Sequence, residues 1–541
     1  MRSKWLQSWV FPPTGLRFLI IILLVLGIFF RFVNLDRKIY WMDETYTSLR
    51  ISGYTESEVA QQLLQEQLLS VEDLHQYQHL NPKKSIVDTV KGIADEEPQL
   101  PPLYFILVRF WAQMFGDSVA AIRSFSAFLS VLTFPCIYWL CLELFESSVV
   151  GWLACALLAV SPFQLVYAQE ARQYSLWTVA ILLSSASLLR AMRVNTWRRW
   201  GIYAATLTLG VYSHLFFVLV ATAHAIYVFI INNYRWSKTL RAYFLSSLVG
   251  IIAFSPWIAV IVTNYQQALT MTAAQDTKIP LLYFLKSWLG NLSRNFIDMG
   301  FSSDSPFEIP WYSLVLPSLS ILVITTLAAY SIFFLVRHTS KKTWLFILIL
   351  ISFTSLALII PDLILGRRTS VTGRYMIPCY LGIQLAVSYL LGSKINPTLL
   401  SNGSNKFWKL TLLALLTSSV ISCVVVSQAE SWWNNLTDTH NRQLAQIINQ
   451  TSNPLVIQEI DSSPPRYNVF NLISLSYLLK SDVKFKFIPK YTVSEVPKMF
   501  EHVFLMAPST AFKSGIEKKY RTKIEPIEGN QATNLWQLVK P

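Results

Sequence analysis

Apolar runs of about twenty residues, the length that crosses a bilayer, recur along this chain with short polar turns between them. They predict spans near residues 17–33, 119–142, 147–165, 173–190, 200–213, 215–232, 242–263, 312–336, 343–361, 376–392 and 408–428, about eleven in all. Basic residues collect in alternate turns: Arg2, Lys4 and Arg17; Arg190, Arg193, Arg198 and Arg199; Arg235, Lys238 and Arg241; Arg337, Lys341 and Lys342; Lys394, Lys406 and Lys409. A cytoplasmic N-terminus puts all of these inside, as the positive-inside rule asks. The first run has no small-residue cleavage site after it and is followed by many more, so it reads as a retained span.

Two polar pieces then fall outside. In residues 34–118, thirteen Asp and Glu stand against seven Lys and Arg, a balance suited to a translocated loop. Thr55-Glu-Ser-Glu58 has capping-box form, and Val59, Leu63, Leu64 and Leu68 follow at helical spacing, which predicts an amphipathic helix lying on the membrane. Residues 102–115 are too short to span and carry Arg109; counting them as a span would invert every later loop, so they are read as an interfacial helix. In residues 429–541, strand-like runs at 455–460, 483–488 and 503–506 alternate with helix-like runs near 470–480 and 509–519. That pattern predicts a small α/β domain with a partly parallel sheet. It carries no Gly-rich fingerprint and is read as a cap or docking domain. The expected fold is a mainly α, polytopic membrane helical bundle (residues 1–428, with the outer loop 34–118), followed by a C-terminal α/β extracytoplasmic domain (429–541).

Composition agrees: 53% of the 541 residues are hydrophobic and 14% charged, and the mean hydropathy is +0.40, which points to a polytopic membrane protein and not a soluble one. The formal charge of +14 is accounted for by the topological clusters, so no nucleic-acid partner is implied. Five cysteines, Cys136, Cys141, Cys155, Cys379 and Cys423, sit in or beside apolar runs without metal-ligand spacing, and imply neither disulfides nor zinc. His75 and His79, four apart, either share a metal-binding helix face or lie on an exposed polar helix.

The candidate chemistry gathers at the outer ends of the spans. Tyr40-Trp41-Met-Asp43-Glu44-Thr-Tyr46 follows the first run. Either Asp43 is a catalytic base with Glu44 tuning charge or substrate, or the pair simply favours the first turn of a helix. Arg123, Glu170, Arg172, Tyr174 and His214 fall at outer ends, as do Arg367, Arg368, Arg374 and Tyr375, where the charge rule disfavours arginine. Arginine presents a planar fork to phosphate oxygens, so the group suits a phosphate ester whose lipid tail stays in the bilayer. Structural ion pairs, Glu170 with Arg172 and Asp362 with Arg367 or Arg368, are the alternative.

The motifs Trp41-Met-Asp-Glu44, Gln99-Leu-Pro-Pro-Leu-Tyr-Phe105, Gly116-Asp117 through Arg123, Ser161-Pro162 through Tyr167-Ala-Gln-Glu-Ala-Arg-Gln-Tyr174, and Gly373-Arg-Tyr-Met-Ile-Pro378 together resemble the dolichyl-phosphate-mannose-protein mannosyltransferase-like family, glycosyltransferase family 39, and its bacterial relatives the lipid A aminoarabinose transferases, of the GT-C fold. The resemblance covers about residues 15–235, is patchier to 378, and is absent from the tail. It implies a polyprenyl-phosphate sugar donor, a catalytic carboxylate at Asp43, and a protein, lipid or glycan acceptor. It departs at Leu100, where the family carries histidine before the Pro-Pro pair. The expected reaction is metal-free, inverting transfer at the outer face of the cell (inner) membrane. Asp43 and Glu44 are the catalytic candidates. Arg123, Arg172, Arg367, Arg368 and Arg374 are candidates for the donor phosphate. Trp41, Tyr104, Glu170, Tyr174, His214 and Tyr375 are candidates for the substrate, with aromatic packing as the plainer role of the tyrosines. A lipid or sugar transporter is the alternative, but it would place charges at the membrane midplane and show repeated halves.

Overall fold

The structure, a computed structural model, describes residues 14–65, 68–273, 280–300, 315–395, 405–460, 468–490, 492, 499–527 and 535–539. Arg2, Lys4 and residues 312–314 of the eighth predicted span lie outside them. The chain divides into two compact units, residues 1–35, 97–104 and 123–429 in the first, and 36–96, 105–122 and 430–541 in the second.

Among the described residues the first unit is built of helices and the turns between them. All eleven segments read as spans contain helix. Among the described residues eight helices are long and apolar enough to cross a membrane, and nine if a bent pair counts as one. The described helices thus do not confirm the count of eleven. Helix Trp197–Ser213 has 17 residues and Phe217–Ile231 has 15, each short of the roughly 20 needed to cross untilted.

The bent pair, Ser148–Ala159 and Pro162–Ala168, turns by 61°. Pro162 has no backbone N–H and cannot continue the preceding helix. Ser161 starts the next one, its hydroxyl accepting from Gln164 N at 3.4 Å. The break leaves helix-end carbonyls needing partners, and buried Arg31 supplies them. Its guanidinium donates to Ala159 O (2.6 Å), Leu158 O (3.1 Å), Gly27 O (2.8 Å) and Ser130 Oγ (2.8 Å). Gly27 allows this approach, since a Cβ there would lie 2.7 Å from Ala159 Cβ. The opposite side of the same helix keeps Phe18, Ile21, Ile22, Val25 and Phe29 exposed, as a lipid-facing side requires.

The second unit holds a five-stranded sheet, β1 (Pro454–Ile460), β2 (Lys484–Pro489), β3 (His502–Met506), β4 (Lys523–Pro526) and β5 (Leu535–Val539), in the order β2-β1-β3-β5-β4. β1 runs parallel to β2 and β3, while β5 is antiparallel to β3 and β4. The three strand-like runs of the tail are strands, and the sheet is partly parallel as the pattern predicts.

The same unit contains the helices of the first loop. Helix Glu56–Gln65 begins with the reciprocal box foreseen, Glu58 N to Thr55 Oγ1 (3.1 Å) and Thr55 N to Glu58 Oε2 (3.0 Å). Its apolar side does not lie on a membrane. Val59, Ala60 and Leu63 are buried in one core with Val456, Phe470, Phe485 and Phe504 of the tail. Leu69 and Phe485 exchange both backbone hydrogen bonds (3.0 and 2.9 Å), which covers the β2 edge. A ten-residue helix gains more by packing on this sheet than by its own propensity.

Helix Leu103–Phe115 has the predicted extent and leaves Phe110, Met114 and Phe115 exposed. Arg109, which interrupts it, is buried and donates to the carbonyls of Ile51 and Lys84, so the charge serves the C-terminal end of helix Met42–Ser52.

Arg31→Leu strands carbonyls that hydrocarbon cannot hydrate, at a cost of about 1–3 kcal/mol for each group left open. A clear fall in the thermal midpoint of the purified protein is expected, with unchanged melting as the contrary result. Leu63→Ala should cost about 2–5 kcal/mol, as core truncations do, whereas Val87→Ala, at a position 73% exposed, should cost little. Equal melting of the two variants would return the 56–65 helix to the membrane surface.

Candidate active site

In the first unit, the turn from Tyr167 to Tyr174 is held from three sides. Gln169 Nε2 donates to Phe30 O (2.8 Å) and Val33 O (2.9 Å). Ser126 Oγ donates to Arg172 O at 3.3 Å and lies 2.7 Å from the Tyr104 hydroxyl. Tyr104 is fully buried, and its described role is to fix this turn through Ser126. Asn295 O accepts from Ser161 Oγ (2.8 Å) at the start of the helix that leads into the turn.

A cluster of cations and aromatic rings forms beyond this turn. The Arg374 guanidinium lies over Tyr174 (5.4 Å) and Tyr375 (5.5 Å), an arrangement that offsets part of the cost of holding the charge away from water. His214, in the turn between helices Trp197–Ser213 and Phe217–Ile231, stacks on Trp177 at 4.2 Å and lies 6.0 Å from Tyr174 and 6.1 Å from Tyr375. Burial, then the charges of Arg374 and Arg172, lower its pKa to about 3. Its neutral Nδ1 accepts from Phe216 N at 3.1 Å. Glu170, buried, acts electrostatically on Tyr167, as do Arg374 and Arg294. Arg172, Glu170, Tyr174, His214, Arg374 and Tyr375 are thus gathered as the sequence suggested.

The remaining arginine candidates are placed differently. Arg123 is buried and donates to Leu35 O at 2.7 Å, tying down the chain as it leaves the first helix. Arg367 and Arg368 are exposed on a loop shaped by Asp362, whose carboxylate accepts from Thr369 N (3.0 Å) and Ser370 N (2.5 Å).

Helix Leu281–Arg294 falls within residues 264–311, where the apolar pattern predicts no span. Trp288 Nε1 donates to Ser370 Oγ (3.0 Å) and Asn291 Nδ2 to Val371 O (2.9 Å), fixing the loop that ends at Arg374. A Cβ on Gly373 would meet Phe163 at 3.1 Å and Asn291 at 3.2 Å. Arg294 donates to Asn291 Oδ1 at 2.5 Å. The available signal was Leu281, Leu285 and Leu289 repeating every four residues after Pro280.

In the second unit, Asp43 and Glu44 lie in the first turn of helix Met42–Ser52, behind the buried Trp41. Asp43 is half-buried and Glu44 buried, 1% exposed. Adjacent helical residues point about 100° apart, and here that separates a reachable carboxylate from an interior one. Gly53 ends the helix in the left-handed region at φ +87°. His75 is paired with Ser476 Oγ (3.0 Å) and His79 with Asp117 (3.1 Å). Among the described residues no group of three or more His, Cys, Asp and Glu is arranged to hold a metal.

The low pKa of His214 makes stability depend on pH. Below about 6.5 the unfolded chain takes up a proton that the folded ring refuses until about pH 3. Stability therefore falls as pH drops, by on the order of 2 kcal/mol from this group at pH 5. His214→Gln should show a smaller loss of thermal midpoint between pH 7 and 5 than the parent; equal losses would mean that the ring is charged in the folded protein.

Residues 99–259 match the family model described as dolichyl-phosphate-mannose-protein mannosyltransferase. No curated protein matches the chain by sequence. ArnT from Cupriavidus metallidurans in the apo state is similar in structure at 11% identity, over 97% of this chain and 98% of that one, with a TM-score of 0.51. The same protein bound to undecaprenyl phosphate matches at 10% identity, with the same coverage and TM-score. The apo oligosaccharyltransferase of Archaeoglobus fulgidus matches 85% of this chain at 12% identity with a TM-score of 0.46, and the chain spans 64% of its length. The chain is thus a polytopic membrane protein with a fold similar to that of ArnT, and over residues 99–259 it is similar to the dolichyl-phosphate-mannose-protein mannosyltransferases.

Proposed function

We propose that the protein transfers a sugar from a polyprenyl-phosphate donor to an acceptor at the extracytoplasmic face of the cell membrane, with inversion and without a metal. The observation that carries this reading is the gathering of Arg172 and Arg374 with Tyr174, Tyr375 and a neutral His214. A buried Arg172 and a half-buried Arg374 set among uncharged rings suit an anion, and a phosphate ester supplies one. A further support is that the ArnT of similar fold binds undecaprenyl phosphate. Arg123, Arg367 and Arg368 add positive charge to the same unit. No observation favours the transporter alternative.

In the proposed step the acceptor's nucleophilic atom bonds to the anomeric carbon as the bond from that carbon to the phosphate oxygen breaks. The electron pair leaves with the polyprenyl phosphate, whose growing charge Arg172 and Arg374 stabilise. Asp43 takes the acceptor's proton. Of the two acids it is the one with a partly open side chain, and a general base must come within about 3 Å of the proton it removes. The interior position of Glu44 suits a supporting role. The acceptor is a protein, lipid or glycan carrying a nucleophilic group.

Single-turnover transfer from a purified polyprenyl-phosphate sugar tests the assignment. Asp43→Asn should lose at least about 100-fold with donor affinity kept, and Glu44→Gln should lose less. Arg374→Ala should weaken donor binding by about 1.5–3 kcal/mol, with only partial recovery in Arg374→Lys, which keeps the charge but loses the planar stack. An Asp43→Asn protein within a few fold of the parent would refute the base.

A further inference from the structure

Helix Met42–Ser52, which carries Asp43 and Glu44, begins without a cap of its own. Its N-cap residue is Trp41, whose side chain makes no capping hydrogen bond, and tryptophan lacks the short oxygen-bearing side chain that favoured N-caps use. The acceptor comes from the tail. Met42 N donates to Asp438 Oδ2 at 2.6 Å. Ser474 Oγ is 3.0 Å from the same Asp438 oxygen and 2.8 Å from Tyr40 O, and it accepts from Asn441 Nδ2 at 3.1 Å. Ile39 N donates to Glu430 O at 2.9 Å. Residues 39, 40 and 42 are thus each held by a group from residues 430–474, all within the second unit.

The burial pattern separates this contact from incidental surface pairing. Asp438 is 2% exposed and Ser474 fully buried. A buried carboxylate is costly unless it is fully engaged, and here it engages the backbone one residue before Asp43. Its negative charge also sits at the positive end of the helix dipole. Rings close the surroundings: Tyr40 against Tyr477 (5.1 Å), His75 stacked on Tyr477 (4.4 Å), and the Tyr40 hydroxyl 2.5 Å from Ser48 Oγ.

We propose that Asp438, braced by Ser474, is a positioning residue for catalysis: it caps the Asp43-bearing helix from the C-terminal domain and so sets where the Asp43 carboxylate points. The inference rests on the reading of Asp43 as base. It gives the tail a part in turnover through one hydrogen bond, without contact with substrate.

The test uses the full-length protein, a purified polyprenyl-phosphate sugar, and separate measurements of donor Kd, kcat and thermal midpoint. Asp438→Ala should lower kcat at least tenfold with donor Kd within twofold. Asp438→Asn keeps an acceptor oxygen for Met42 N, and Ser474 can still donate to Tyr40 O, so this variant should recover most of the loss. Ser474→Ala should show a smaller loss of the same kind. A purely structural role would instead lower the amount of folded protein, leave kcat per folded molecule at the parent value, and overturn the proposal. If Asp438→Ala does not fold, Ser474→Ala and Asp438→Asn decide: parental kcat in Ser474→Ala, or loss in Asp438→Asn as great as total loss of the cap, sinks it. Asp43→Asn measured alongside separates the two readings. A dead Asp43→Asn with Asp438→Ala at the parental rate removes only the positioning role, whereas an active Asp43→Asn removes the base reading and this inference with it.

Discussion

The membrane unit turns on a single constraint, the break between Ala159 and Pro162. A helix that ends inside hydrocarbon leaves carbonyls with no water to take them, and Arg31 fills that need with donors to Leu158 and Ala159. The contact requires the close approach that Gly27 permits. It also decides the direction of the next helix, Pro162–Ala168, and therefore where the 167–174 turn arrives. Gln169 then ties that turn back to Phe30 and Val33. Two side chains, one from each partner, thus fix the first span to the turn that carries Glu170 and Arg172.

What the turn delivers is a cluster of charged groups and rings, Glu170, Arg172 and Tyr174 with Arg374 and His214. Arg172 and Arg374 both act on His214, whose ring they and burial keep neutral, and Arg294 adds to the field at Tyr167. Stacking over Tyr174 and Tyr375 makes Arg374 tolerable there, and guanidinium stays charged where an ammonium would surrender its proton. Trp288 and Asn291 hold the loop from which Arg374 projects.

Much of this was legible in the residue pattern, for identifiable reasons. Long apolar runs report spans because hydrocarbon leaves the backbone few alternatives, and all eleven runs do contain helix. Their count as full spans was not legible, since a 61° bend and a 15-residue helix read as ordinary hydrophobic stretches. The polar turns gave Arg172, Tyr174, His214, Arg374 and Tyr375, because charge at the wrong side of a span is conspicuous. Arg31 escaped, as one arginine at the end of an apolar run looks like a topology signal. The 56–65 helix was found with its cap, but periodicity states only that one side is apolar and not what covers it; the tail strands do so here. Helix Leu281–Arg294 escapes a search for spans because it has only 14 residues and carries Lys286 and Arg294.

The joint folding of the first loop with the tail follows from the weakness of short helices. Helices Met42–Ser52, Glu56–Gln65 and Ile86–Glu96 have ten or eleven residues each, below the length at which an isolated helix is stable in water. Glu96 joins the three, accepting from Arg50 Nη1 (2.5 Å), Glu56 N (2.7 Å) and Ser57 N (3.1 Å). That network orders the helices among themselves, but it buries little apolar surface. The larger gain comes from Leu49, Val59, Leu63 and Leu74 meeting Phe470, Ile473, Phe485 and Phe504 in one core. The strands of the tail in turn have β2 covered by Leu69 instead of standing as an open edge. Each part therefore supplies the surface that the other lacks, and the helix bearing Asp43 takes its order from residues almost four hundred positions further along the chain.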